Sequence, residues 1–247
     1  MDLGVLKFPA SLQVTEQQID LAGLSEKQKA FYLDLFADVI GIYERGKKAR
    51  FILGVAGPTG AGKSVVAVLL KELARQGSLP FAVEAITIDA YHFPNEYLLS
   101  HFSDGVPLKA VKGRPDTYNP AALAADLRDF AAGKIMSFPA YSRKLHDPVT
   151  DALKVNAANV LLIVEGLWVL YDQAGWENIG PLLDYSLFID ADPARVKGPV
   201  LQRHVRGGRS LEDAERHYES VDAKNAALVL TTRPRADKII PAYYSIT

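Results

Sequence analysis

Gly57-Pro58-Thr59-Gly60-Ala61-Gly62-Lys63-Ser64 is the stretch from which the rest of the chain is read. It fits G-x-x-x-x-G-K-[ST], a loop that holds phosphate groups. Gly57, Gly60 and Gly62 let the backbone take positive φ and approach an anion with no Cβ in the way. The loop N–H groups, with Thr59, Ala61 and Val65 around them, turn toward phosphate oxygens. Lys63 places a charge beside the β- and γ-phosphates, and Ser64 offers a hydroxyl to Mg²⁺. The flanking sequence agrees. Phe51–Ala56 is a short apolar run, as a buried parallel strand would be. Beyond the loop, Val66, Leu69, Leu70 and Leu73 recur at helical spacing. Strand, loop and helix together predict that the chain binds a nucleoside triphosphate.

Two further apolar runs end in acids. Val83–Ile88 reads as a strand running into Asp89-Ala90-Tyr91-His92-Phe93-Pro94. Val160–Val164 is a β-branched run that ends in Glu165-Gly166. In open parallel sheets ligands gather at the carboxyl ends of strands, so Asp89 and Glu165 are placed where chemistry happens. Asp89 alone would also suit a turn, but a turn needs neither Tyr91 nor His92. Glu165 would hold Mg²⁺ directly or through water, since a buried carboxylate without a partner is costly.

Between these runs lie two aperiodic stretches, 100–119 and 138–148, rich in polar residues. Long structureless segments inside a compact domain are usually binding loops or lids. A solvated loop is the plain alternative for any one residue in them. Asn119 and Pro120 mark the start of a helix over 121–132. Asp184–Ile189 reads as another strand, and Asp192-Pro193 starts a helix that carries Arg195, Arg203 and Arg206 toward Gly207-Gly208-Arg209. Ser210 and Asp213 resemble a capping box for a helix at about 211–230. Arginines beside a Gly-Gly break predict a hinged lid over 203–210; basic residues favoured by a helix C-terminus are the alternative. A last short strand falls at 236–240. Residues 1–24 read as an irregular arm, and Ser25 caps a helix to Arg45 with a broad apolar face.

The totals set limits. The chain has 247 residues, with Lys plus Arg 28 against Asp plus Glu 29 and a formal net charge of −1. That gives no electrostatic case for nucleic acid or an anionic membrane as partner. There is no cysteine, which excludes disulfides and thiolate chemistry. No apolar run reaches the roughly 18 residues of a membrane span, and Met1–Ala10 lacks the pattern of a signal peptide. A cytoplasmic protein is expected. A homodimer through the apolar helix at 26–45 stays open.

With these landmarks in order, the sequence resembles the P-loop kinase family that includes uridine kinase, phosphoribulokinase and bacterial type I pantothenate kinase. The resemblance spans about residues 50–242. Within the family it looks most like bacterial proteins described as nucleoside/nucleotide kinases or fructose-transport-system kinases. It is carried by Gly57–Ser64, Asp89–Phe93, Lys112–Tyr118, Pro139–Arg143 with His146-Asp147-Pro148, Val164–Gly166, and Arg203 with Arg206. It implies an α/β fold of the P-loop NTPase type, a mainly parallel sheet with helices on both faces. The kinase domain would take residues 50–247 and the arm and packing helix 1–49. The resemblance also implies transfer of the γ-phosphoryl group of ATP, with Mg²⁺, to a hydroxyl of a small metabolite such as a sugar, a nucleoside or a pantothenate- or glycerate-like acid. Carried over by position, Asp89 would be the base. Tyr91, His92, Arg114, Asp116, Tyr141, Arg143 and His146 would line the acceptor pocket. Arg203 and Arg206 would be lid arginines, and Arg235 would lie near the adenine. The rival is an NTP-hydrolysing regulatory protein. GTPases of that class select guanine with Asn-Lys-x-Asp, and the nearest segment here, Asp222-Ala223-Lys224-Asn225, runs in the wrong order.

Overall fold

A computed structural model describes residues 6–15, 17–134 and 136–242. Residues 1–5 of the expected arm and 243–247 of the expected kinase domain lie outside the described residues. The chain begins with a hairpin, β1 (Ser11–Val14) against β2 (Gln17–Asp20), antiparallel. This corrects the reading of 1–24 as an irregular arm. Each strand is only four residues long, too short for its alternation to stand out. Packing supplies what periodicity does not: Leu12, Val14, Ile19 and Leu21 are all buried in the main core.

Helix α1 (Glu26–Gly46) starts where the sequence predicted. Ser25 accepts from the Gln28 N–H, and Gln28 reaches back to complete the capping box. Its buried face is Tyr32, Leu35, Phe36, Val39, Ile40 and Tyr43. That face joins the core of its own chain, so the helix packs in cis.

Next come β3 (Arg50–Ala56), α2 (Lys63–Gln76) and β4 (Ala82–Thr87), then α3 (Asn95–Ser100) and the two-residue strands β5 (Phe102–Ser103) and β6 (Val106–Pro107). Helix α4 (Pro120–Ala131) has Asn119 as cap, accepting from the Ala122 N–H, and Pro120 in its first turn. Strands β7 (Met136–Ser142) and β8 (Asp147–Val155) pair antiparallel. The stretch expected to be a loop at 138–148 is therefore the outer end of a hairpin. Pro139 has no N–H to give, and the register shifts between Phe138 and Ala140. That bulge hides the strand period in the sequence. The chain continues through β9 (Val160–Glu165), β10 (Tyr185–Asp190), α5 (Pro193–Arg206), α6 (Leu211–His217), α7 (Ala223–Thr231) and β11 (Lys238–Pro241).

The central sheet has the order β11-β10-β3-β9-β4, and every pairing in it is parallel. Its three inner strands, β10, β3 and β9, are buried on both faces. Phe51, Leu53, Val55, Leu161 and Ile163 point into a core shared with α1, α2 and the N-terminal hairpin. Ile52, Ala56, Val160, Leu162 and Val164 point into a second core with α4, Trp168 and Trp176. The chain is thus an α/β protein with a parallel sheet covered on both faces.

Candidate active site

Register brings three strand ends together. In the middle of the sheet Glu165 on β9 pairs with Val55 on β3 and with Thr87 on β4. Val55 leads into the phosphate loop, Thr87 leads into Asp89, and Glu165 stands between them. The Gly166 N–H donates to the Val55 carbonyl at 3.0 Å. A side chain at Gly166 would begin 2.2 Å from Ile88, so the segment holding Asp89 lies directly on the end of β9. Asp89 itself sits in a 3₁₀ turn, Ile88–Tyr91, whose first N–H bonds go to the Thr87 hydroxyl.

In the loop Gly57, Gly60 and Gly62 all have positive φ. Gly62 starts α2 at φ 91° with no side chain bonded to the first-turn N–H groups. Those donors and the helix dipole are therefore offered to an anion. Lys63 is 9% exposed, and its ammonium donates to the Pro58 carbonyl at 2.9 Å. Burial lowers its pKa to about 8, against the opposing pull of Glu165. Ser64 Oγ donates to Glu165 Oε1 at 2.8 Å. Burial raises the Glu165 pKa, countered by Lys63. A hydroxyl and a buried carboxylate at hydrogen-bond distance, with a lysine close by, are the oxygen donors that a hard cation such as Mg²⁺ takes.

The cleft above these strand ends has a volume of about 690 Å³. It is also lined by Asp89, His92, Lys112, Tyr118, Tyr141, Arg143 and His146. Tyr118 donates to Asp89 Oδ1 at 3.2 Å, and its ring stacks on His92 at 3.6 Å. Burial draws His92 down to about 4, so its imidazole is neutral at neutral pH. Lys112 donates to the His146 carbonyl at 2.7 Å and lies over the Tyr141 ring at 5.1 Å. It thereby ties the long loop to the β7–β8 hairpin. Burial and the neighbouring Lys109 bring Lys112 down to about 8.

The model of the Phosphoribulokinase / Uridine kinase family matches residues 52–245. The chain belongs to this family. It is 33% identical over 191 residues to YggC of Escherichia coli (strain K12), covering 77% of each protein. It is 30% identical over 217 residues to the pantothenate kinase of Levilactobacillus brevis, covering 78% of this chain and 69% of that one. Among solved structures, the fructose transport system kinase candidate of Silicibacter sp. TM1040 superposes with a TM-score of 0.73 at 22% identity, over 84% of this chain and 98% of the other. That likeness speaks to the fold. Membership makes the chain a P-loop kinase of small metabolites, and the family implies ATP and Mg²⁺.

In this family member the third wall of the cleft is the end of α5. Arg203, His204, Arg206, Gly207, Gly208 and Arg209 all face it. The helix stops at Gly207, and Gly208 takes φ 97° before Ser210 caps α6 by accepting from the Asp213 N–H at 3.0 Å. The break predicted at 203–210 is therefore present. Burial, and then the charge of Arg143, hold the Arg203 guanidinium below its usual value.

Several sequence-predicted residues are elsewhere. Tyr91 turns away into the second core and donates to Asp126 at 2.8 Å; it does not line the acceptor pocket. Arg114 is engaged by Asp116 at 2.9 Å, Ser103 and Asp104. Both Arg114 and Asp116 lie outside the cleft lining: the small β5–β6 hairpin supplies Ser103 and Asp104 to Arg114, and Arg114 in turn holds Asp116. Arg235 forms an ion pair with Asp172, also outside the cleft lining. Sequence reasoning missed Lys112, Tyr118, Thr87, Lys144 and Gln17, all of which line the cleft. Lys112 and Tyr118 stood within a quoted landmark, and nothing in their spacing separated them from Arg114. Gln17 arrives on the N-terminal hairpin, which the sequence did not reveal.

Proposed function

We propose that this chain transfers the γ-phosphoryl group of ATP to a hydroxyl of a small metabolite that also carries a negative charge. The observation that carries this reading is that Arg143, from the turn of the β7–β8 hairpin, and Arg203, from α5, line the same cleft close enough for their charges to be felt by one another. Burial first, and the charge of Arg143 second, lower the Arg203 guanidinium from its usual value. Two guanidinium groups set against each other favour an anion between them. Lys112, Lys144 and His146 line the same cleft. The match to a relative named pantothenate kinase agrees with an acidic acceptor.

In the proposed reaction the acceptor oxygen forms a bond to Pγ while the bond from Pγ to the β-phosphate oxygen breaks, and ADP leaves. Asp89 accepts the hydroxyl proton, and Tyr118 holds the carboxylate in place. Ser64 and Glu165 would hold Mg²⁺, which neutralises charge on the β- and γ-phosphates. Lys63, Arg203 and Arg206 spread further positive charge around a loose transition state, for which positioning and electrostatics do most of the work.

A panel of acceptors tests this. ADP formation from MgATP would be followed with hydroxy acids such as pantothenate and glycerate, sugar phosphates, nucleosides, neutral sugars and polyols. An anionic acceptor is expected to exceed every neutral one by about tenfold or more in kcat/KM. Preference for a nucleoside or neutral sugar would overturn the charge assignment. ADP release that no acceptor increases would favour the NTP-hydrolysing reading instead.

A further inference from the structure

We infer that His204, His217 and Asp222 form a binding site for one divalent transition-metal ion at the base of the lid segment, distinct from the Ser64–Glu165 pair. One ligand atom from each of the three lies within 4.8 Å of the other two. His204 Nε2 and Asp222 Oδ2 are 2.7 Å apart. The imidazoles of His204 and His217 meet edge to face, with centroids 5.0 Å apart. His217 and Asp222 are each 7% exposed, and all three side chains border the cleft.

A packed hydrogen bond accounts for His204 with Asp222. It does not account for the second imidazole, nor for the backbone that brings it there. His217 and Asp222 are five residues apart, a spacing that places side chains on different faces of an α-helix. Here Tyr218–Asp222 is a π turn, in which the Ala223 N–H bonds back to the Tyr218 carbonyl. The wider turn brings residues five apart round to one side. Such turns are rare, and they occur preferentially at functional sites.

Two imidazoles and one carboxylate suit Zn²⁺ and its neighbours such as Co²⁺, Ni²⁺ and Fe²⁺, and they leave coordination positions open. Mg²⁺ prefers oxygen ligands alone, so the two cation sites would select different ions. Arg203, Arg206 and Arg209 border the same cleft and oppose a dication. Asp222 offsets part of that charge, and an anion in the open positions offsets more. The consequence is mechanical: an ion here ties the end of α5 to α6 and the π turn, across the Gly207–Gly208 break.

The test does not depend on the kinase reading, because it reads metal binding. The full chain, stripped of metal by a chelator, is titrated with Co²⁺ and followed by visible absorption, then with Zn²⁺ as competitor. The expected result is one equivalent of Co²⁺, displaced by Zn²⁺ and not by Mg²⁺. His217→Ala and Asp222→Asn are expected to weaken binding by about tenfold or more. His204→Gln keeps a donor for Asp222 and so preserves the fold, checked by circular dichroism, and is expected to lose binding to the same degree. His101→Ala, on the surface, leaves it unchanged. Absence of a bound equivalent, undiminished affinity in His204→Gln, or loss in His101→Ala would each overturn the site.

Discussion

At Lys63 burial and charge work against each other, and pH separates them. Its pKa of about 8, set chiefly by burial, predicts that kcat/KM for ATP, which reports the free enzyme, holds below that value and falls as pH rises through it. A flat profile to about pH 10 would show that the Lys63 charge is not needed. Stability runs the other way. An ordinary lysine titrates at 10.5, so between about 8 and 10.5 the unfolded chain binds the proton that the folded chain has released, and stability rises with pH. Lys63→Met is therefore expected to raise the melting temperature near pH 7, with an advantage that shrinks toward about pH 10. The gain is of the order of 3 kcal/mol, a figure in which the attraction to Glu165 and Asp89 is already included. For Asp89→Asn, phosphoryl transfer is expected to drop by about 10²–10⁴ while ATP affinity, measured by calorimetry, is kept. Unchanged turnover would remove Asp89 from the mechanism.

Among the elements, α5 links the phosphate loop to the Gly207–Gly208 break. A Cβ at Gly60 would lie 2.9 Å from Val200 and 3.0 Å from Val196, and the residue has φ +81°. Gly60→Ala is expected to cost about 1–3 kcal/mol in stability and to lower kcat, because α5 must shift outward with Arg203 and Arg206; melting and turnover measured together would show both. Arg206→Ala is expected to lower kcat more than it weakens ATP binding, and an effect confined to ATP affinity would make Arg206 a ground-state contact. The sequence explained Gly60 by φ alone; its contact with α5 depends on an element some 140 residues away and had no local signal. Capped helices were legible for the opposite reason. Ser25, Asn119, Asp192 and Ser210 act on N–H groups two or three residues away. The π turn was not legible, since helical spacing hides a pair five residues apart.

The whole molecule depends on its N-terminal hairpin more than the sequence suggested. Leu12, Val14, Ile19 and Leu21 share a core with Ala61, Val65 and Val66 of the phosphate loop and its helix. Each fully buried side chain of this kind contributes about 1.5–3 kcal/mol, and total stability is commonly about 5–15 kcal/mol. Deleting residues 1–21 is therefore expected to leave α2 without its cover and to unfold the chain or lower its melting temperature sharply; a truncated chain that melts like the parent would show the hairpin to be an appendage. The convergence of Gly57, Asp89 and Glu165 was readable because each follows an apolar run and parallel strands end on one edge. The acceptor wall was readable only in part. His92, Tyr141, Arg143 and His146 reach the cleft, whereas Tyr91 found a partner in Asp126, and Arg114 found Asp116, Ser103 and Asp104.

The chain has two tryptophans, and both report on the same short segment. The Trp168 indole N–H donates to the Gly113 carbonyl at 3.1 Å and that of Trp176 to the Pro115 carbonyl at 3.3 Å. Both rings are fully buried. All indole emission of the protein therefore comes from residues that hold the backbone beside Lys112. Intrinsic fluorescence is in effect an optical probe of the cleft wall around Lys112, built in and needing no label.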